Sequence, residues 1–176
     1  MRQSGKVALG GVMGAVALMC LLGTVFPYAT LALPAMAGIA LAPVALEAGI
    51  GWGWLVYGAV ALLNLLITPS MEAKVMFVAF FGYYPILRLS LNRLRPPTAW
   101  VVRLAVFNVA AVASYWLMIK VFGMEADTFE LFGINLPLAF LALGNVTFVI
   151  YELALAQLED VYRRIWQPRL MRLFHR

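Results

Sequence analysis

From Val7 to Leu46 the chain runs for 40 residues without a single Asp, Glu, Lys, Arg or His. That is twice what one membrane-crossing helix needs, since a hydrocarbon core about 30 Å thick takes about 20 apolar residues. The stretch therefore reads as two spans, and Pro27 and Pro34 mark where it divides. Proline removes a backbone donor and pushes the preceding residue out of the helical region, so Phe26 to Thr30 reads as a loop. A soluble domain is excluded by the composition around this run. Of 176 residues, 64% are apolar or aromatic and 12% are charged, with a net charge of +5, against about 45–50% and 25% in soluble chains.

Breaks in the apolar pattern divide the rest. The first span is expected over Val7 to Val25, and the second from Leu31 or Leu33 to Leu46, short and carrying Pro43. A turn is expected over Glu47 to Gly53, where glycines stand at 49, 51 and 53. Trp54 to Ile67 then forms a third span, ending at Thr68-Pro69-Ser70, and Lys74 or Val75 to Asn92 a fourth. Trp100 to Phe122 makes a fifth, and about Leu136 to Glu159 a sixth. The expected fold is thus all-α, a polytopic membrane protein of six helices over 1–160, followed by a basic amphipathic tail over 161–176. In that tail Arg163, Arg164, Arg169 and Arg172 alternate with Ile165, Trp166, Leu170 and Leu173, as in a helix lying on an anionic leaflet. The first apolar run exceeds the 7–15 residues of a signal core and no small-x-small site follows it promptly, so it reads as a retained span.

Basic residues set the expected orientation, because cytoplasmic loops carry the excess of them. With the N-terminus inside, eleven of the thirteen Lys and Arg fall on the cytoplasmic side, leaving Lys74 and Lys120 outside. Both termini are therefore expected in the cytoplasm of a multi-pass cell-membrane protein. The arginines flank spans rather than forming exposed basic clusters, which argues against nucleic-acid binding.

Catalytic groups are scarce. The single histidine, His175, is next to the C-terminus, which leaves no paired-histidine zinc site and no Ser-His arrangement in the bilayer. Asp127 and Asp160 both lie outside the spans, so no buried aspartyl pair is available. Gly49-x-Gly51-x-Gly53 lacks the lysine of a phosphate loop, and Cys20 stands alone. The expectation is a protein that is not an enzyme and holds no metal or cofactor.

What remains is a handful of polar groups inside apolar helices. Glu152 is the most informative, because a charge at that depth costs about 2.5–3.5 kcal/mol on insertion scales and should face a partner in the bundle. Arg88 and Arg103 lie at similar depth and are its expected partners. Asn64, Asn108 and Asn145 fit interhelical hydrogen bonds or the wall of a cavity. In the fourth span, Phe77 to Pro85 places Pro85 after Gly82, so a kink is expected there. Gly10 with Gly14, and Gly11 with Ala15, are small residues four apart that let helices approach closely.

The layout resembles the substrate-binding S components of energy-coupling-factor transporters: fewer than 200 residues, six spans, both ends inside, small residues in span one and an apolar first outer loop. Phe80-Phe81-Gly82-Tyr83-Tyr84-Pro85-Ile86 before Arg88, and Gly144-Asn145-Val146 through Tyr151-Glu152, also look like a related family of small six-helix membrane proteins in Gram-positive bacteria. S components dock on a transmembrane partner through an Ala-x-x-x-Ala pattern in the first span. Gly10, Gly11, Gly14 and Ala15 stand in that place here. The resemblance implies a small molecule, vitamin-like or a metal, bound in the outer half, with Tyr28, Asn64, Lys74, Phe77, Tyr115, Trp116, Asn135 and Asn145 as candidate wall residues. It further implies a coupling membrane subunit and ATPase subunits as partners, and no vitamin-specific signature points to one ligand. A non-transporting cell-envelope scaffold, of the size and span number of the rod-shape proteins, is the alternative reading.

Overall fold

The computed structural model describes residues 3–26, 29–120 and 137–167, and among these there are helices and turns but no strand. The helices are α1 (Gln3–Leu22), α2 (Ala32–Glu47), α3 (Ile50–Ile67), α4 (Met71–Met76), α5 (Tyr84–Leu91), α6 (Pro96–Lys120) and α7 (Pro137–Val161). A 3-10 turn, Gly23–Val25, extends α1, and two π-helical turns, Phe77–Phe81 and Tyr162–Trp166, follow α4 and α7. Five stretches are long and apolar enough to cross a membrane: Gln3–Val25, Ile50–Ile67, Met71–Leu91, Pro96–Leu117 and Leu141–Ile165. Their outward faces are those of lipid-facing helices, with Val12, Leu62, Leu66, Val109, Val146 and Ile150 each more than half exposed. α2 is apolar but only 16 residues long, about 24 Å at 1.5 Å per residue.

The turn between α2 and α3 is tighter than the glycine pattern suggests. Only Ala48 and Gly49 lie outside helix, and Gly49 alone takes a positive φ, 102°, which a residue with a Cβ adopts at a cost. Gly51 and Gly53 are helical instead. Gly53 is there for closeness, since a Cβ on it would lie 2.8 Å from the Cβ of Ala45.

The stretch Met71–Leu91 is broken in a defined way. Ser70 caps α4, its Oγ accepting from the Ala73 N–H at 3.3 Å, and Glu72 sits in the first turn, where the helix dipole favours an anion. The helix then widens into the π turn, with the Gly82 N–H bonding the Phe77 carbonyl at 2.8 Å, and restarts at Tyr84 with Pro85 in its first turn. The sequence places the kink at Gly82 to Pro85, and the π turn lies just before it. Pro85 has no N–H to give the carbonyl four residues back, that of Phe81, so helical bonding fails upstream of the proline. The Gly82 N–H goes to Phe77 rather than to the Val78 carbonyl four residues back, and Val78 accepts instead from the Tyr57 hydroxyl of α3 at 2.9 Å, the kind of neighbouring donor that broken membrane helices use.

Two apolar clusters divide the interior. One joins α1, α2 and α3 around Ala17, Leu21, Leu41, Val44, Val56 and Val60, with Phe77 and Ile86 reaching into it. The other joins the stretch Met71–Leu91 to α6 and α7 through Phe80, Tyr84, Ala110, Phe148 and Leu155. Between them α2 presses on the π turn: a Cβ on Gly38 would lie 1.9 Å from the Phe81 carbonyl oxygen. On α1, Gly10 and Gly14 face Val56 and Val60 of α3.

Candidate functional site

At the end of the bundle where α5 finishes and α6 begins, three helices converge on one carboxylate. Glu152 of α7 is 2% exposed. Its Oε2 accepts from the Tyr84 hydroxyl at 2.6 Å, and its Oε1 accepts from Arg88 Nε of α5 at 2.8 Å and Arg103 Nη1 of α6 at 2.6 Å. Both guanidinium groups are anchored further. Arg103 Nη2 donates to the Asn92 side-chain oxygen at 2.6 Å, and the Trp100 ring lies 5.9 Å from its central carbon, within cation–π range. Arg88 Nη1 donates to Glu159 Oε2, one heptad beyond Glu152 on the same face of α7. Glu159 Oε1 in turn accepts from Nε and Nη2 of Arg163, at 3.0 and 2.8 Å.

Each acid of this network is held by two arginines, Glu152 by Arg88 and Arg103, and Glu159 by Arg88 and Arg163. Charge-assisted bonds of this kind are the strong ones. Two buried donors, Arg103 Nε and the Tyr151 hydroxyl, have no hydrogen-bond partner, and each such group costs about 1–3 kcal/mol. With both oxygens of Glu152 occupied by three donors, the carboxylate is a fixed anion that ties α5, α6 and α7 together.

Aromatic rings form the next layer. Phe80 stacks on Tyr84 with centroids 4.6 Å apart, and Phe107 stacks on Phe148 at 4.7 Å. Phe80 also meets Phe107 and Phe148 edge-on. Beyond them Asn108 and Asn145 exchange reciprocal amide bonds of 2.9 and 3.0 Å. Each also donates to the carbonyl four residues back, of Leu104 and Leu141. From the carboxylate cluster through the rings to the amide pair, α6 and α7 are joined by specific contacts.

Towards Lys120 a recess of about 710 Å³ opens on α6, lined by Ala79, Asn108, Val109, Val112, Ala113, Ser114, Trp116 and Leu117. Its wall is mostly apolar, because the Asn108 amide is engaged with Asn145 and the Ser114 hydroxyl donates to the Ala110 carbonyl at 2.7 Å.

The residues singled out from the sequence are distributed as follows. Glu152, Arg88 and Arg103 meet in one cluster, and Asn145 is half of the amide pair. Asn64 is fully buried, its Nδ2 donating to the Lys74 carbonyl at 3.2 Å and its Oδ1 accepting from Thr68 Oγ1 at 2.7 Å. That amide ties the end of α3 to α4. Phe77 is fully buried against Tyr57, and Trp116 is 59% exposed on the recess wall. Tyr115 is half-buried on α6. Tyr28 and Asn135 lie outside the described residues, as does the tail from 168 onwards. Tyr84, Asn92 and Glu159 were not singled out. The available signal was the spacing of Glu159, seven residues after Glu152 and so on the same helix face. No protein-family model, no curated protein and no solved structure matches the chain.

Proposed function

We propose that the chain is a six-span integral membrane protein with both termini in the cytoplasm. In this reading it is the membrane-embedded binding subunit of a small-molecule uptake transporter of the energy-coupling-factor kind, without chemistry of its own and energised by separate coupling and ATPase subunits. α2 counts as the sixth span, its short length met by tilt of its neighbours or local bilayer thinning. The basic residues support the orientation, with Arg88, Arg93, Arg95, Arg103, Arg163 and Arg164 at the end assigned to the cytoplasm.

The observation that carries the functional reading is the division of labour on α1. Gly10 and Gly14 are used within the chain, whereas Gly11 has nothing within 4 Å of a built Cβ. Ser4, Ala8, Gly11 and Ala15 form an exposed stripe of small residues on the opposite side. Such a stripe lets a second helix come close, and in S components the first span is where the coupling subunit docks. The recess on α6 falls in the half of the protein that this orientation places outside. Its wall is an open apolar surface, with Val109, Val112 and Trp116 more than half exposed, and suits contact with a largely organic ligand.

Affinity purification from membranes of the native cell is the test. Coupling and ATPase subunits should accompany the wild-type chain, and Gly11→Leu should abolish that association without lowering monomer stability, because a Cβ at this exposed position meets no atom within 4 Å. Recovery of wall-synthesis proteins in place of ATPases would overturn the transporter reading in favour of a scaffold.

A further inference from the structure

A groove of about 160 Å³ runs along the seam between α2, α5 and α7 at the arginine-rich end. Ala42, Pro43 and Leu46 form one wall, Leu89 the floor, and Leu155 and Leu158 the other wall. Its walls are mostly aliphatic. The α2 wall spans eight residues from Ile39 to Leu46, about 10 Å along the helix, so the groove is long enough for a length of acyl chain.

Its polar lining is Arg88, Glu159 and Tyr162. The Tyr162 hydroxyl donates to Glu47 Oε1 at 3.3 Å. Glu159 is held by Arg88 within and by Arg163 without. Of the five N–H donors on a guanidinium, Arg163 uses two on Glu159, and its side chain is 50% exposed. Arg164 is 81% exposed and lies 4.0 Å from Asp160. On the groove wall Glu159 is thus engaged by two arginines and Tyr162 holds Glu47, while the exposed guanidinium groups of Arg163, bonded to Glu159, and of the next residue, Arg164, stand at this end of the groove.

We infer that this groove binds one acyl chain of an anionic phospholipid in the adjoining leaflet, whose phosphate is held by Arg163 and Arg164. The apolar walls supply affinity for the chain, and the paired guanidinium groups, which match phosphate geometry better than ammonium groups do, supply preference for the headgroup.

The full chain, purified in detergent and equilibrated with vesicles of equimolar phosphatidylglycerol and phosphatidylcholine, is examined by native mass spectrometry. The expected spectrum shows one retained lipid, with phosphatidylglycerol preferred by about tenfold. Ala42→Trp fills the groove and should remove the retained lipid of either class. Leu158→Trp, on the exposed opposite wall, should do the same and serves if Ala42→Trp fails to fold. Arg163→Gln with Arg164→Gln should keep a lipid but bring the two classes to near parity. Equal retention of both lipids by the wild type, or undiminished phosphatidylglycerol on a folded groove-filled variant, overturns the proposal.

Discussion

Replacing Glu152 with Ala is expected to lower the unfolding free energy by about 3–5 kcal/mol, the usual result of leaving a buried charge without its counter-ion. Three donors lose their acceptor together: Tyr84, Arg88 and Arg103. They do not lose equally. Arg88 keeps Glu159, whereas Arg103 keeps only the Asn92 amide, with its Nε already unpartnered. Most of the destabilisation should therefore come from Arg103, and a paired change tests this. In reversible unfolding in mixed micelles, Glu152→Leu combined with Arg103→Met should recover at least half of what Glu152→Leu alone loses, because an apolar pair of similar volume carries no desolvation cost. A coupling energy near zero in that double-mutant cycle would falsify the account of Glu152 as the anion that holds α5, α6 and α7.

That cluster was partly legible in the residues themselves. An acid within an apolar helix demands a partner, and few bases lie at its depth, so Glu152, Arg88 and Arg103 could be grouped without coordinates. Tyr84, Asn92 and Glu159 could not be added, because which neighbours complete a hydrogen-bond shell depends on the rotation and offset of α5 against α7, and periodicity leaves both open. The same limit applies to the asparagines. Asn108 and Asn145 each announce a cross-helix bond, yet only packing decides that they bond each other while Asn64 turns to a backbone carbonyl. Helix boundaries were legible where charge or proline marks them. They were misplaced at Gly49 to Gly53, where three glycines suggest a loop but a single positive φ makes the turn. The outward stripe of Ser4, Ala8, Gly11 and Ala15 was half legible: the spacing shows that two small faces exist on α1, but not which of them the chain uses for itself.

Gly38→Ala is expected to be among the most damaging single changes outside the charged cluster. The added methyl would sit 1.9 Å from the Phe81 carbonyl oxygen, a backbone atom that no rotamer change can remove. Overpacking ordinarily costs about 1–3 kcal/mol, and here the upper end or beyond is expected, read as a lowered unfolding midpoint or loss of membrane-inserted protein. The control is Gly11→Ala, where a Cβ meets nothing and the gain in helix propensity, up to about 1 kcal/mol, should leave stability equal or raised. The cause of the crowding also predicts its cure. The Phe81 carbonyl faces Gly38 of α2 and Pro85 has no N–H to give it, so Pro85→Ala is expected to restore a donor, let the π turn tighten to an α-helix and draw the oxygen back from Gly38. Gly38→Ala with Pro85→Ala should then be more stable than Gly38→Ala alone. If the two changes simply add, the proline is not what brings the π turn so close to α2.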